Sequence, residues 1–184
     1  MATNDKFQVT GIKETLDVFK QFADEIGDKK ATSKILVPAL KEAMERVQAM
    51  ARMLAPSDTG QLRRTIGIIG RRPTGRDKRS KYISQTDVAI AIVSTKVIPK
   101  EVQKQFASQS KGLKGAEKAK AKRKFLSEGG FNHDQRAIAQ EFGTGRNPAS
   151  PFMRPALESQ ASSVVSELGR ILKQKIEQYR SKAK

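Results

Sequence analysis

A chain of 184 residues is long enough for one domain with a real core and short for two, and with 37% hydrophobic but only 5% aromatic residues that core is expected to be lean. Cysteine is absent, which excludes disulfides, thiolate metal sites and cysteine nucleophiles. Lysine and arginine number 36 against 19 aspartates and glutamates, and this net charge of +17 predicts an acidic partner without naming it. No run approaches the roughly 18 apolar residues of a membrane span. Asn4, Asp5 and Lys6 do not fit a secretory leader, so a soluble protein made in the cytoplasm, with no membrane partner, is expected.

In chain order, Phe7, Val9 and Gly11-Ile12 alternate as in an edge strand. Lys13 to Ile26 reads as a helix with Leu16, Phe19 or Val18, Phe22 or Ala23, and Ile26 on its buried face, ended by Gly27. A second helix is predicted from about Ser33 to Leu54, with Leu36, Leu40, Ala43, Val47, Met50 or Ala51, and Leu54 on one stripe. Thr32 or Ser33 is placed to cap it, and Pro38, lacking an amide donor, suits its first turn. The segment from Ala55 to Gly60 stops the helix. Thr65, Ile66, Ile68 and Ile69 then predict a strand at 65–70. A second follows at 87–94, where Val88, Ile90 and Ile92 alternate with Ala89, Ala91 and Val93. A long basic hairpin loop, 71–81, joins them.

Beyond Pro99 the composition shifts. Val102 and Phe106 fit a short helix, but Lys111 to Lys124 is low in complexity and too polar to bury a face, and its two glycines and like charges oppose a helix, which predicts a mobile or partner-ordered arm. Packed structure returns from His133 to Phe142, with Ile138 and Phe142 four apart. An ordered turn through Gly143, Gly145, Asn147, Pro148 and Pro151 leads to a last helix starting near Pro155. That helix carries Leu157, Ala161, Val164, Leu168, Ile171 or Leu172, and Ile176 or Tyr179 on one face.

The charge is clustered. Arg63, Arg64, Arg71, Arg72, Arg76, Lys78, Arg79 and Lys81 face a single acid, Asp77, and a second basic stretch lies between Lys96 and Gly130. Their aromatic residues are few, namely Tyr82, Phe106 and Phe125, so any nucleic-acid contact would be to phosphates and indifferent to sequence.

Glu141-Phe142-Gly143-Thr144 is by itself explained by turn chemistry, with glycine at a positive φ and threonine bonding the local backbone. It is followed, however, by Pro151-Phe152-Met153-Arg154-Pro155-Ala156-Leu157 and a long amphipathic helix. It is preceded by Pro56-Ser57-Asp58-Thr59-Gly60-Gln61-Leu62-Arg63 where a long helix breaks toward a strand. Together these runs resemble the small neck or tail-completion proteins of long-tailed bacteriophages, which join head to tail. The resemblance covers roughly residues 7–91 and 137–178, and the basic stretch from about 100 to 132 looks like an expansion relative to compact members.

The fold expected is α+β, a small antiparallel sheet packed by a long central helix at 34–54 and a long C-terminal helix at 155–179, with extended basic loops. It would form a single domain, 1–184, with a basic insertion or arm at about 96–132. The resemblance implies a structural virion protein with no enzymatic role and no catalytic, cofactor or metal residues. It implies a ring-forming neck or tail-completion subunit between the portal, adaptor and stopper side and the tail tube, with a tail-terminator role a close neighbour. Its partners would be further copies in a hexameric or dodecameric ring, the stopper or adaptor, the tail terminator and the tail tube. It would be made in the host bacterial cytoplasm and reside at the neck or tail top.

Interface candidates are Arg71, Arg72, Arg76 and Arg79 in the basic loop and Glu141, Phe142, Gly143, Thr144, Pro151, Phe152 and Met153 in the turn region. Phe142 and Phe152 are expected to pin the proline-rich bend to the core. Lys118, Lys120, Lys122, Arg123 and Lys124 are candidates for contact with a polyanion, either phosphates of DNA in the neck lumen or acidic faces of adjacent rings. The sole histidine, His133, lies beside Asp134 and near Glu128, but no second histidine or zinc-ligand spacing accompanies it. Gly143-Thr144-Gly145-Arg146 lacks the lysine and spacing of a phosphate-cradling loop. Charge alone supports one alternative, a free-standing, sequence-independent nucleic-acid-binding protein.

Overall fold

A computed structural model describes residues 12–56, 60–95, 97–131 and 134–182. Helices α1 (Ile12–Ile26), α2 (Asp28–Ala31), α3 (Val37–Ala43), α4 (Glu45–Leu54) and α5 (Gln61–Thr65) precede strands β1 (Gly67–Arg71) and β2 (Ile90–Ser94). Four more helices follow: α6 (Lys100–Gln109), α7 (Gly115–Glu128), α8 (Asp134–Phe142) and α9 (Met153–Lys182). The two strands pair in a small antiparallel sheet, so the α+β expectation holds, with helix predominating. The edge strand expected at Phe7 and Val9 lies outside the described residues, and Ile12 opens α1 instead. Two compact units emerge from the fold, one from segments 1–47, 69–92 and 158–184, the other from 48–68 and 93–157.

The first unit is built on α1, α2, α3 and the C-terminal part of α9. Phe19, Phe22 and Ala23 bury one face of α1 against Ala31, Ile35, Ala39 and Ala43, and against Ile171, Leu172 and Ile176 of α9. Phe22 meets Tyr179 edge to face at 5.4 Å between ring centroids, a geometry that suits the ring quadrupoles. At the periphery Glu42 accepts from Lys175 at 2.6 Å and Glu25 from Arg180 at 2.8 Å.

The central helix departs from the single rod predicted for 33–54. Its buried small residues recur every fourth position, and in a helix of 3.6 residues per turn such a series rotates by about 40° per step. A π-helical turn at Thr32–Leu36 widens the coil just before Pro38 and takes up part of that excess. It also relieves the clash that the Pro38 ring would otherwise make with the carbonyl one turn earlier. Thr32 and Ser33 are therefore not caps: Thr32 is buried within the path, and the Ser33 hydroxyl donates back to the Lys29 carbonyl at 2.8 Å. Met44 breaks the path again before α4.

The strands are shorter and shifted relative to expectation, because Thr65 is consumed in α5. β1 approaches α3 closely at Gly70, where a Cβ would fall 2.4 Å from Cγ of Lys41. Beyond β1 the basic loop is braced: Arg71 pairs both guanidinium nitrogens with the Asp77 carboxylate, which also accepts from the Thr74 amide at 2.7 Å. Arg72 donates to the Asp28 carbonyl at 3.2 Å.

In the second unit the helix-to-strand corner is held by side chains that cap backbone carbonyls. Arg63 donates from Nε and Nη2 to the Ala55 carbonyl, at 3.0 and 2.8 Å, so a cation closes the C-terminal end of α4. Gln48 and Arg52 place three donors on the Ile66 carbonyl, at 2.8 to 3.0 Å. Gly67 then passes so close to Val97 that a Cβ would fall 2.5 Å from the valine Cβ. Ser57, Asp58 and Thr59 of the corner motif lie outside the described residues.

The arm predicted at Lys111 to Lys124 is instead helical from Gly115 onward. Its two glycines, expected to oppose a helix, sit at the end and start of helices: Gly112 (φ 90°) turns the chain after α6, and Gly115 (φ 50°) is the first residue of α7. Phe125 of α7 packs on Phe106 of α6 at 5.4 Å, and no residue of α7 is fully buried.

Removing the Phe22 ring should cost roughly 3–5 kcal/mol. Val18→Ala, on the exposed side of the same helix, should stay within about 0.5 kcal/mol. Urea denaturation of the two variants checks this, and equal costs would contradict the packing of α1.

Candidate assembly interface

The turn region is organised by a carboxylate. Glu141, in the last turn of α8, is 6% exposed, and its Oε2 accepts from the Phe152 and Met153 amides, both at 2.9 Å. Its Oε1 accepts from the Arg154 amide at 3.1 Å and from Arg154 Nε at 3.0 Å, while Arg154 Nη2 donates to the Glu141 carbonyl at 3.0 Å. The first amides of α9 have no intrahelical partner, and the positive end of the helix dipole favours an anion there. Burial pushes the Glu141 pKa up, but the amide donors of Met153, Phe152 and Arg154, with the guanidinium, outweigh it and hold the carboxyl below its usual range.

The other residues of the motif shape the bend. Gly143 has φ 76°, and a Cβ there would fall 2.8 Å from the Ala149 amide nitrogen, so a side chain is excluded on both counts. The Thr144 hydroxyl accepts from the Arg146 and Asn147 amides, at 3.3 and 3.1 Å, and the Thr144 amide donates to the Asn147 carbonyl at 2.8 Å. Ser150 closes the bend by donating its amide to the Gln140 carbonyl at 2.7 Å.

Of the two aromatic anchors expected, one is correct. Phe152 is fully buried, but Phe142 is 66% exposed and Ile138 58% exposed. Successive helical residues are about 100° apart, so a helix that buries Ala137 and Glu141 must turn Ile138 and Phe142 outward. Arg154 stacks its guanidinium 5.1 Å from the Phe142 ring centre. These residues line an open groove of about 320 Å³ with Val93, Phe152 and Met153. Pro151 is exposed and makes no contribution to the core.

Other predicted site residues are dispersed. Arg71 is spent on Asp77, which the Arg71 guanidinium and the Thr74 donors hold well below the ordinary carboxylate range. Arg76 and Arg79 are exposed on the loop, and Arg72 is exposed while bonding Asp28. In α7, Lys118 and Lys122 line a groove facing α6, whereas Lys120, Arg123 and Lys124 do not. Lys124 pairs weakly with Glu128 at 3.8 Å. His133 lies outside the described residues. Sequence reasoning missed the roles of Arg154, Arg52 and Gln48, because a polar side chain within a helix carries no signal of which carboxylate or carbonyl it will seek.

Glu141→Ala should destabilise by roughly 1–3 kcal/mol, the cost of leaving buried donors unpaired. The sign of its pH dependence follows from the lowered pKa: the contribution is complete above the ordinary value of 4.5 and is lost as pH falls through the lowered one. The stability gap between the native chain and Glu141→Gln, measured by thermal melts, should therefore shrink below about pH 4.5. A separate pair of variants tests the two rings: Phe152→Ala should cost about 3–5 kcal/mol, and Phe142→Ala less than about 1 kcal/mol.

No curated protein and no solved structure matches this chain. Residues 17–97 match a family described as Bacteriophage HK97-gp10, putative tail-component. The matched segment takes in the helix-to-strand corner at Gly60 to Gly67, while the Glu141 bend lies beyond it. Over residues 17–97, less than half of its length, the chain is thus similar to the HK97-gp10-like family, whose description is that of a phage tail component.

Proposed function

We propose that this protein is a ring-forming neck or tail-completion subunit of a tailed phage, joining the head to the tail tube, with a structural role and no reaction of its own. The family match supports a structural phage protein that resides in the virion. The observation that carries the finer reading is the groove beside Glu141. Ile138 and Phe142 are large apolar side chains left in water on a corner whose backbone is fixed by a buried carboxylate. A surface that is apolar and already rigid loses little entropy on docking, as an interface between subunits requires. In this reading the groove receives either the next copy in the ring or a neighbouring neck or tail protein. Arg76 and Arg79, on the braced loop, present charge to acidic faces.

Phe142→Glu separates assembly from folding, because the side chain is exposed. The variant should melt within a few degrees of the native chain, since surface changes stay within about 0.5 kcal/mol. Supplied to a phage lacking the gene, it should yield filled heads and separate tails by electron microscopy. Normal joining by both Phe142→Glu and Ile138→Glu would remove the groove from the interface. Joined particles without any copy of the gene would remove the neck role itself.

A further inference from the structure

The hairpin of α6 and α7 leaves a second groove, of about 400 Å³, between its two helices. On α6 it is lined by Val102, Phe106 and Ala107, and on α7 by Ala119 and Leu126. Helices that finish a core pack at 8–10 Å with few voids larger than a water molecule. Here the Phe106 and Phe125 rings hold the pair together while the floor beside them stays open. On α7 the groove residues Gly115, Lys118, Ala119, Lys122 and Leu126 follow helical spacing, so Lys118 and Lys122 stand one turn apart along an apolar floor. Both are exposed.

We propose that this groove is a docking site for an acidic amphipathic helix of another protein. An apolar floor takes the apolar stripe of a partner helix, whose contacts recur at i, i+3, i+4 and i+7. Two lysines one turn apart select carboxylates flanking that stripe. DNA fits the groove poorly, because phosphates gain nothing from Val102, Phe106 and Leu126. Its natural surface would be the opposite face of α7, where helical spacing puts Lys120 and Lys124. This inference stands independently of the ring and head-tail reading, and its test needs no phage particle.

The probes are a helical peptide of about 14 residues with leucines on one stripe and glutamates beside it, its twin with lysine in place of glutamate, and a duplex of about 20 base pairs. The full chain, followed by fluorescence anisotropy, should bind the acidic peptide at least about tenfold tighter than the basic twin. Lys118→Glu with Lys122→Glu should reverse that preference. Ala119→Trp or, on the facing helix, Ala107→Trp should fill the groove and abolish peptide binding, with helicity by circular dichroism confirming that each variant folds. Lys120→Gln with Lys124→Gln should leave peptide binding unchanged. Equal affinity for the two peptides would overturn the proposal, as would a preference that survives the double reversal. It would also fail if duplex DNA displaced the acidic peptide and only the Lys120 and Lys124 variant lost binding, which would assign the helix to a polyanion instead.

Discussion

A carboxylate taken out of water must be repaid by donors, and in this chain that requirement shapes the whole passage from α8 to α9. Four N–H groups converge on Glu141, three from the backbone at the start of α9 and one from Arg154. The three amides are groups that the helix would otherwise leave unsatisfied. One side chain thus settles two deficits together, its own desolvation and the orphan amides of the longest helix. It also sets the phase of α8. With Ala137 and Glu141 inward, Ile138 and Phe142 have no alternative to solvent.

The corner near Gly60 follows the same logic with the charges exchanged. Helix α4 ends in carbonyls, and Arg63 closes the one at Ala55. Gln48 and Arg52 converge on Ile66, just ahead of β1, so a single oxygen aims the strand. The three sequence runs that resemble phage neck proteins include these two corners. What they encode physically is the pairing of helix ends with side chains of opposite polarity.

The larger elements were legible because periodicity reports burial. The stripes of α1 from Phe19 onward and of α9 from Val164 onward coincide with the observed core. The break at Gly27, the stop near Ala55 and the basic loop are where turn residues put them. Three readings went astray, each for a local reason. Pro38 suggested a helix start, but a π turn lets the helical path run through it. Glycines at 112 and 115 were expected to oppose a helix, but they sit at helix boundaries, where glycine is tolerated. In the turn motif, hydrophobicity nominated Phe142 for the core. A charged residue one position earlier took that place, and composition cannot reveal that four donors will converge on it.

The acidic residues of this chain are few, and several face inward or sideways onto cations of their own molecule. Glu141 holds Arg154, Asp77 holds Arg71, Glu42 holds Lys175 and Glu25 holds Arg180. The field seen from outside is accordingly more one-signed than the residue counts suggest. In the ring proposed, neighbouring copies would approach through that field, and like-charge repulsion over a Debye length of about 8 Å in physiological salt would oppose closure. Under that proposal such a subunit would carry its own brake against polymerising alone, and the template that gathers it would have to bring the negative charge.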